Sequence, residues 1–285
     1  MPTIPTAVRK FADSISHPVA LIGCHTSEMS LDCCEYDLAV IFAEPQNNQF
    51  MQINGHAVEL LYFVGPVIDY IVELGCMTIL KDTNKFALSS AATYITQEKY
   101  GKALVAAGKK SLISSLFCQQ KMHQAKQPAV AAMWLKIASY DFLDGMLALS
   151  GSRPMPLHEL EQVRQTEAGR MVEGVEVALE CIGIERATRP AIARSIEAVM
   201  ELKSNDHDRV LFESKVDNLL RHSMLADCYY YAGKVATKNL AGRRDPFYSK
   251  YAKLIQLALD LSSDVQHLEK LQKRLFKAAN GGLKG

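Results

Sequence analysis

The chain has 285 residues, 48% of them apolar and 22% charged, with a formal net charge of +1. That length holds one large domain or two ordinary ones. The near-zero balance excludes bulk electrostatic binding of nucleic acid and a polybasic membrane protein. Seven cysteines, an odd number, predict reduced thiols. The N-terminus carries Pro2, Pro5, Arg9, Lys10 and Asp13 where a secretory leader needs an apolar run, so a cytoplasmic protein is expected. The most apolar segment, 58–80, is interrupted by Glu59, Asp69, Glu73 and Gly65-Pro66. It reads as core and not as a membrane span.

In chain order, Ala7, Val8, Phe11, Ala12 and Ile15 recur at helical spacing and predict an amphipathic helix over 4–16, stopped by His17-Pro18. The apolar run 19–22 predicts a first strand ending at Gly23, where a glycine lets a backbone or ligand come close. Residues 24–34 are small and polar, which predicts a turn leading into a short helix. A second apolar run, 37–42, predicts a strand opened by Glu35 and Asp37. Strand side chains alternate faces, so these two acids point the same way. Two readings follow: a pair of solvated acids on a half-exposed strand, or two carboxylates set to hold a divalent metal.

Residues 44–49 predict a loop. The runs 50–53 and 56–64 flank Asn54-Gly55, a strong hairpin signal because both residues accept positive φ. Glu59 is the lone acid in the second of these strands. A helix is predicted over 67–74, a strand over 76–80, and a turn over 81–84. From Gln97 onward the pattern is all-helical, with helices predicted over 100–124, 129–149, 157–167, 169–182, 190–203, 208–240 and 246–279. The tail, 280–285, is expected to fray. The reading is an α+β chain with a mixed α/β domain over 1–96 and a helical domain over 97–285. Cys24, His25, Cys33 and Cys34 also invite comparison with a zinc site, but their spacing is not that of a finger or ribbon.

The first strand–turn–strand resembles the minimal nucleotidyltransferases of the polymerase β superfamily, of the kanamycin type. Their signature is Gly-Ser, a variable link, Asp-x-Asp on the next strand, and a third carboxylate on a later strand. Here Gly23-Cys24 stands at the first position and Glu35-Tyr36-Asp37 at the second, eleven residues (35 − 24) after Cys24. Glu59 stands where the third acid falls. The segment from Met133-Trp134 through Arg153-Pro154-Met155-Pro156-Leu157-His158 is similar to a helix and turn in the helical domains that accompany such enzymes. The resemblance covers 5–95, and more loosely 100–165.

It implies a nucleotidyltransferase-like mixed sheet with flanking helices, followed by an all-α domain. It also implies Mg²⁺-dependent transfer of a nucleoside monophosphate from an NTP, ATP foremost, to a hydroxyl acceptor. On that basis Glu35, Asp37 and Glu59 hold Mg²⁺, with Glu59 serving a second ion or taking the acceptor's proton. Gly23 and Cys24 cradle phosphate. Ser27 and Lys81 are either further phosphate contacts or ordinary turn residues. The acceptor is a small molecule, a protein side chain or an RNA end, long nucleic acid being the least expected on charge. Homo-oligomerisation through the helices is a further expectation.

Two positions depart from the pattern. Cys24 replaces the serine, and a thiol is a weaker donor than a hydroxyl. Glu35 replaces the first aspartate, displacing its carboxylate by roughly 1–1.5 Å. The alternative expectation is therefore a catalytically weakened nucleotide-binding, regulatory or interaction protein of the same fold.

Overall fold

The computed structural model describes residues 4–42, 44, 46–82, 86–166, 172–202, 206–262 and 264–284. The protein is α+β: a five-stranded mixed sheet near the N-terminus, followed by helices. It divides into two compact units, Met1–Leu104 and Val105–Gly285.

The first unit opens with α1 (Thr6–Ser14), then β1 (Val19–Ile22), a 3₁₀ turn (Gly23–Thr26), β2 (Tyr36–Phe42), β3 (Gln49–Ile53) and β4 (His56–Val64). A 3₁₀ turn (Val67–Tyr70) runs into α2 (Ile71–Leu74), followed by β5 (Thr78–Lys81) and α3 (Ala87–Tyr94). The sheet order is β3-β4-β2-β1-β5. β1 runs antiparallel to both β2 and β5, and β2 runs parallel to β4. β3 and β4 form the predicted hairpin, with Asn54 at φ 49° and Gly55 at φ 83°. Positive φ at both central residues matches the right-handed twist of the flanking strands.

Both faces of this sheet are covered, which explains the near-continuous apolar runs of β1 and β2. Val19, Leu21, Leu38, Val40, Val58 and Leu60 face one side and pack with Val8 and Ala12 of α1. Ala20, Ile22, Ala39 and Phe63 face the other and pack with Leu74 of α2 and Leu88 of α3. Fully burying a Leu or Val side chain is worth about 1.5–3 kcal/mol, so these layers set the strand register.

Several expectations are corrected. No helix follows the turn at Gly23–Thr26. Thr26 Oγ1 donates to Gly23 O at 2.7 Å, Ser27 Oγ donates to Cys24 O at 2.8 Å, and Met29 N donates to Ser27 Oγ at 3.3 Å. Such local side-chain bonds compete with helix formation. Helix α3 lies in a stretch for which no element was predicted. Its first turn is held by Asp82, whose carboxylate accepts from Leu88 N at 3.3 Å and Ser89 N at 2.8 Å. The rest of the turn predicted over 81–84 lies outside the described residues.

The division between the units falls inside α4 (Gln97–Gln124). The first turns of α4 belong to the sheet unit, where Tyr100 lies against Gly75 and accepts from the Cys76 thiol at 3.7 Å.

In the second unit α5 (Pro128–Leu149) is buried along most of its length, from Ala132 to Ala148. It is followed by α6 (Glu159–Gln165), α7 (Val172–Ile182), α8 (Arg189–Leu202), α9 (Asp206–Arg221), α10 (Leu225–Leu240), α11 (Asp245–Lys250), α12 (Ala252–Leu259) and α13 (Val265–Lys284). The long helix predicted over 208–240 is two, broken where Ser223 adopts φ 57°. The helix predicted over 246–279 is three, with Asp260 at φ 47° ending α12. The expected fraying of the tail is also corrected, because α13 continues to Lys284 with Ala279 and Gly282 buried. Among the described residues, no helix is long and apolar enough to cross a membrane.

Candidate functional site: a carboxylate triad at the end of the sheet

The register of the sheet assembles the site. Asp37 is paired with Ile22 on β1 and with Glu59 on β4. Register partners share a face, so all three lie on the side that carries Ala20, Ala39 and Phe63. Glu35, two residues before Asp37, continues the same face just outside β2. The acids stand where β1 ends and β2 begins. One carboxylate oxygen from each of Glu35, Asp37 and Glu59 lies within 4.8 Å of the others, and all three residues are partly exposed. Opposite oxygen ligands of a single Mg²⁺ stand about 4.2 Å apart, at 2.0–2.1 Å each. At up to 4.8 Å apart, the three oxygens would need to draw together to share one such ion, or would each reach one of a pair of ions. The donor set, three hard carboxylate oxygens, suits Mg²⁺.

Gly23 sits against this cluster. Its φ is +76°, and a Cβ placed there would lie 2.0 Å from Asp37 Oδ2. Glycine is required twice over, by the left-handed backbone and by the carboxylate. The close approach predicted for this position is thus made by Asp37 itself.

Cys24 follows on the 3₁₀ turn. A hydrogen bond with Cys34, then burial and the negative charge of Asp37 and Glu35, push the Cys24 thiol far above its ordinary range. Its single S–H is engaged with Cys34. Cys34 Sγ also accepts from Leu31 N at 3.3 Å, which ties the link back onto the start of β2. Cys34, raised in the sequence only in the comparison with a zinc site, is here the hydrogen-bond partner of Cys24. His25 Nε2 bonds Cys34 O at 3.1 Å, and its ring stacks on Tyr36 at 3.9 Å. Tyr36 in turn meets His56 edge-on at 5.8 Å. Among the described residues, no cluster of metal-capable side chains contains His25 or Cys33.

The remaining candidates lie elsewhere. Ser27 is exposed past the 3₁₀ turn, its hydroxyl donating to Cys24 O and accepting from Met29 N. Lys81 pairs with Val19, the end of β1 away from Gly23. Its ammonium donates to the carbonyls of Asp13, at 2.8 Å, and Ile15. It thereby satisfies orphan carbonyls at the C-terminus of α1, where a cation is also favoured by the helix dipole. The sheet thus gathers Glu35, Asp37, Glu59, Gly23 and Cys24 at one end and sets Lys81 at the other.

Neither a family model nor a curated protein matches the chain.

Proposed function

We propose that the protein is a Mg²⁺-dependent nucleotidyltransferase that moves a nucleoside monophosphate from an NTP, ATP foremost, to a hydroxyl-bearing small molecule, protein side chain or RNA end. The observation that carries this reading is the convergence of Glu35, Asp37 and Glu59 within 4.8 Å, with Gly23 packed on Asp37. A divalent ion held by the triad would neutralise triphosphate charge as it develops in line. Three carboxylates by themselves repel a polyphosphate, so the same residues that hold the ion make nucleotide binding depend on it. Asp37 is central because it lies against Gly23 and is the register partner of Glu59. Glu59, on the outer strand of the three, is placed to accept the proton of the attacking hydroxyl. In this reading the backbone N–H groups of the Gly23–Thr26 turn would serve phosphate, since the Cys24 thiol is a weaker donor than a hydroxyl and is engaged with Cys34.

The test uses the full chain. Mg²⁺ and ATP together are expected to raise the melting temperature more than either alone, because a ligand at a hundredfold excess over its Kd stabilises a fold by about 2.7 kcal/mol. Pyrophosphate release with a pool of hydroxyl acceptors is expected, and is lost in Glu35→Gln and in Asp37→Asn. A melting temperature indifferent to Mg²⁺-ATP would remove the reading altogether. A Mg²⁺-dependent shift without pyrophosphate release would favour the second reading, a nucleotide-binding regulatory or interaction protein. That reading is supported by the two departures, Cys24 and Glu35.

A further inference from the structure

The helical unit holds a second feature that the triad does not use. A cleft of about 380 Å³ opens where the end of α4, the start of α5 and the α10–α11 loop meet. It is lined by Lys121, Lys126 and Arg243 together with Val130, Trp134 and Tyr248. Among the described residues, no carboxylate lines it, and none of the three cations makes an ion pair. Three like charges around one small cleft raise the local potential and favour a multivalent anion.

Lys121 and Arg243 are held by neighbouring groups. Lys121 Nζ lies 4.2 Å over the Trp134 ring and 4.8 Å from the Phe117 ring. Arg243 Nε donates to Asn239 O at 3.2 Å, and its guanidinium lies 5.1 Å over Phe247. These contacts use one of its five N–H donors. The buried Tyr248 hydroxyl stands 2.9 Å from Leu240 O and 2.8 Å from Arg243 O, which fixes the backbone from which Arg243 projects. α5 begins at Pro128 without a side-chain cap, so the positive end of a 22-residue helix points to the same region. The floor is apolar, formed by Val130 and Trp134.

We propose that this cleft binds a small phosphorylated molecule, its phosphate or diphosphate group held by Lys121, Lys126 and Arg243 and its body resting on Val130 and Trp134. The volume falls in the range of pockets for small ligands, and Arg with Lys around an aromatic wall is a fitting phosphate receptor. The site is independent of the triad and stands or falls without it.

Trp134 is the chain's single tryptophan, so its emission reports on this cleft alone. Pyrophosphate, AMP and ATP would be titrated into the full chain without Mg²⁺ at constant ionic strength. At least one is expected to change Trp134 emission saturably at sub-millimolar concentration. Arg243→Met and Lys126→Met alter exposed residues that do not touch Trp134 (their folding is checked by circular dichroism). Each is expected to weaken binding tenfold or more, whereas Asp37→Asn leaves it unchanged. The proposal is overturned if no probe gives a saturable change, or if both variants bind as well as the parent. Loss of binding in Asp37→Asn would move the ligand to the triad. Tighter binding of an RNA oligonucleotide than of any small probe, weakening steeply with salt, would replace the small ligand by nucleic acid.

Discussion

Two groups of carboxylates, one from each unit, are built in opposite ways. In the sheet unit Glu35, Asp37 and Glu59 gather at the partly exposed end of the sheet. In the helical unit Asp144 and Glu159 surround Lys234, whose side chain is 3% exposed. Lys234 Nζ lies 2.6 Å from Asp144 and 3.1 Å from Glu159. Glu159 also accepts from the Tyr230 hydroxyl, and the Tyr140 hydroxyl donates to Tyr230 O at 3.1 Å. Here the chain supplies the cation itself, and the hydrogen bonds are made within the core. Such a network has no room for a ligand and specifies packing. In the proposed reading, the acids at the end of the sheet would receive a cation from outside. The two groups differ in burial.

The comparison breaks most readily at Glu35. If its extra methylene holds its carboxylate away from the productive position, Glu35→Asp is expected to raise the rate of nucleotidyl transfer. A displacement of about 1 Å is worth on the order of a hundredfold, and pyrophosphate release measures it. A rate that falls instead would mean that the triad is built around the longer side chain.

Lys234→Met probes the other group. It leaves Glu159 and Asp144 without their cation, and breaking a buried pair by removing one partner costs about 3–5 kcal/mol. Urea unfolding should show this loss, and the double variant Lys234→Met/Glu159→Gln should recover much of it. If Lys234→Met cost no more than a surface substitution, the helical cluster would not be the self-contained network described here.

Gly23→Ala tests how tightly the triad depends on the backbone. The new Cβ meets Asp37 Oδ2 at 2.0 Å in a left-handed conformation. Strain of this kind costs about 1–3 kcal/mol. The melting temperature should fall, and the proposed stabilisation by Mg²⁺-ATP should shrink because Asp37 is displaced. Stability lost with the ligand response intact would separate Gly23 from the site.

The last test is a pH slope. Burial, only partly opposed by Lys234, pushes the Glu159 carboxyl up to about 7, while its two acidic neighbours keep Lys234 charged, above its ordinary range. The folded chain therefore holds the Glu159 proton up to about pH 7, and the unfolded chain releases it near 4.3. Between those values the folded form binds more protons, so this group's contribution to stability falls as pH rises. The slope cannot exceed about 1.4 kcal/mol per pH unit for one proton. Glu159→Gln should remove it, as measured by the urea midpoint across that window.

Much of the sheet was legible in the residues. Val19–Ile22 and the Asn54-Gly55 hairpin announce themselves because burial and positive φ act locally, and the i, i+2 spacing of Glu35 and Asp37 determines that they share a face. The helix break at Asp260 was signalled by the turn-prone run 260–264, Asp-Leu-Ser-Ser-Asp, and was passed over; the break at Ser223 was less legible, since apolar residues flank it closely on both sides. Lys81 was equally opaque, because a lysine after a strand reads the same whether it meets a ligand or the carbonyls at the end of α1. Local patterns suffice for an α+β chain with strands, a hairpin and three acids in order. The position of Glu59 beside Asp37 comes from the folded sheet. Parallel pairing of β2 with β4 is a long-range register that only packing on both faces of the sheet can set. The same holds for the cleft around Trp134, whose cations come from three segments more than 100 residues apart at the extremes. Their meeting depends on how the helices pack, and no local pattern encodes it.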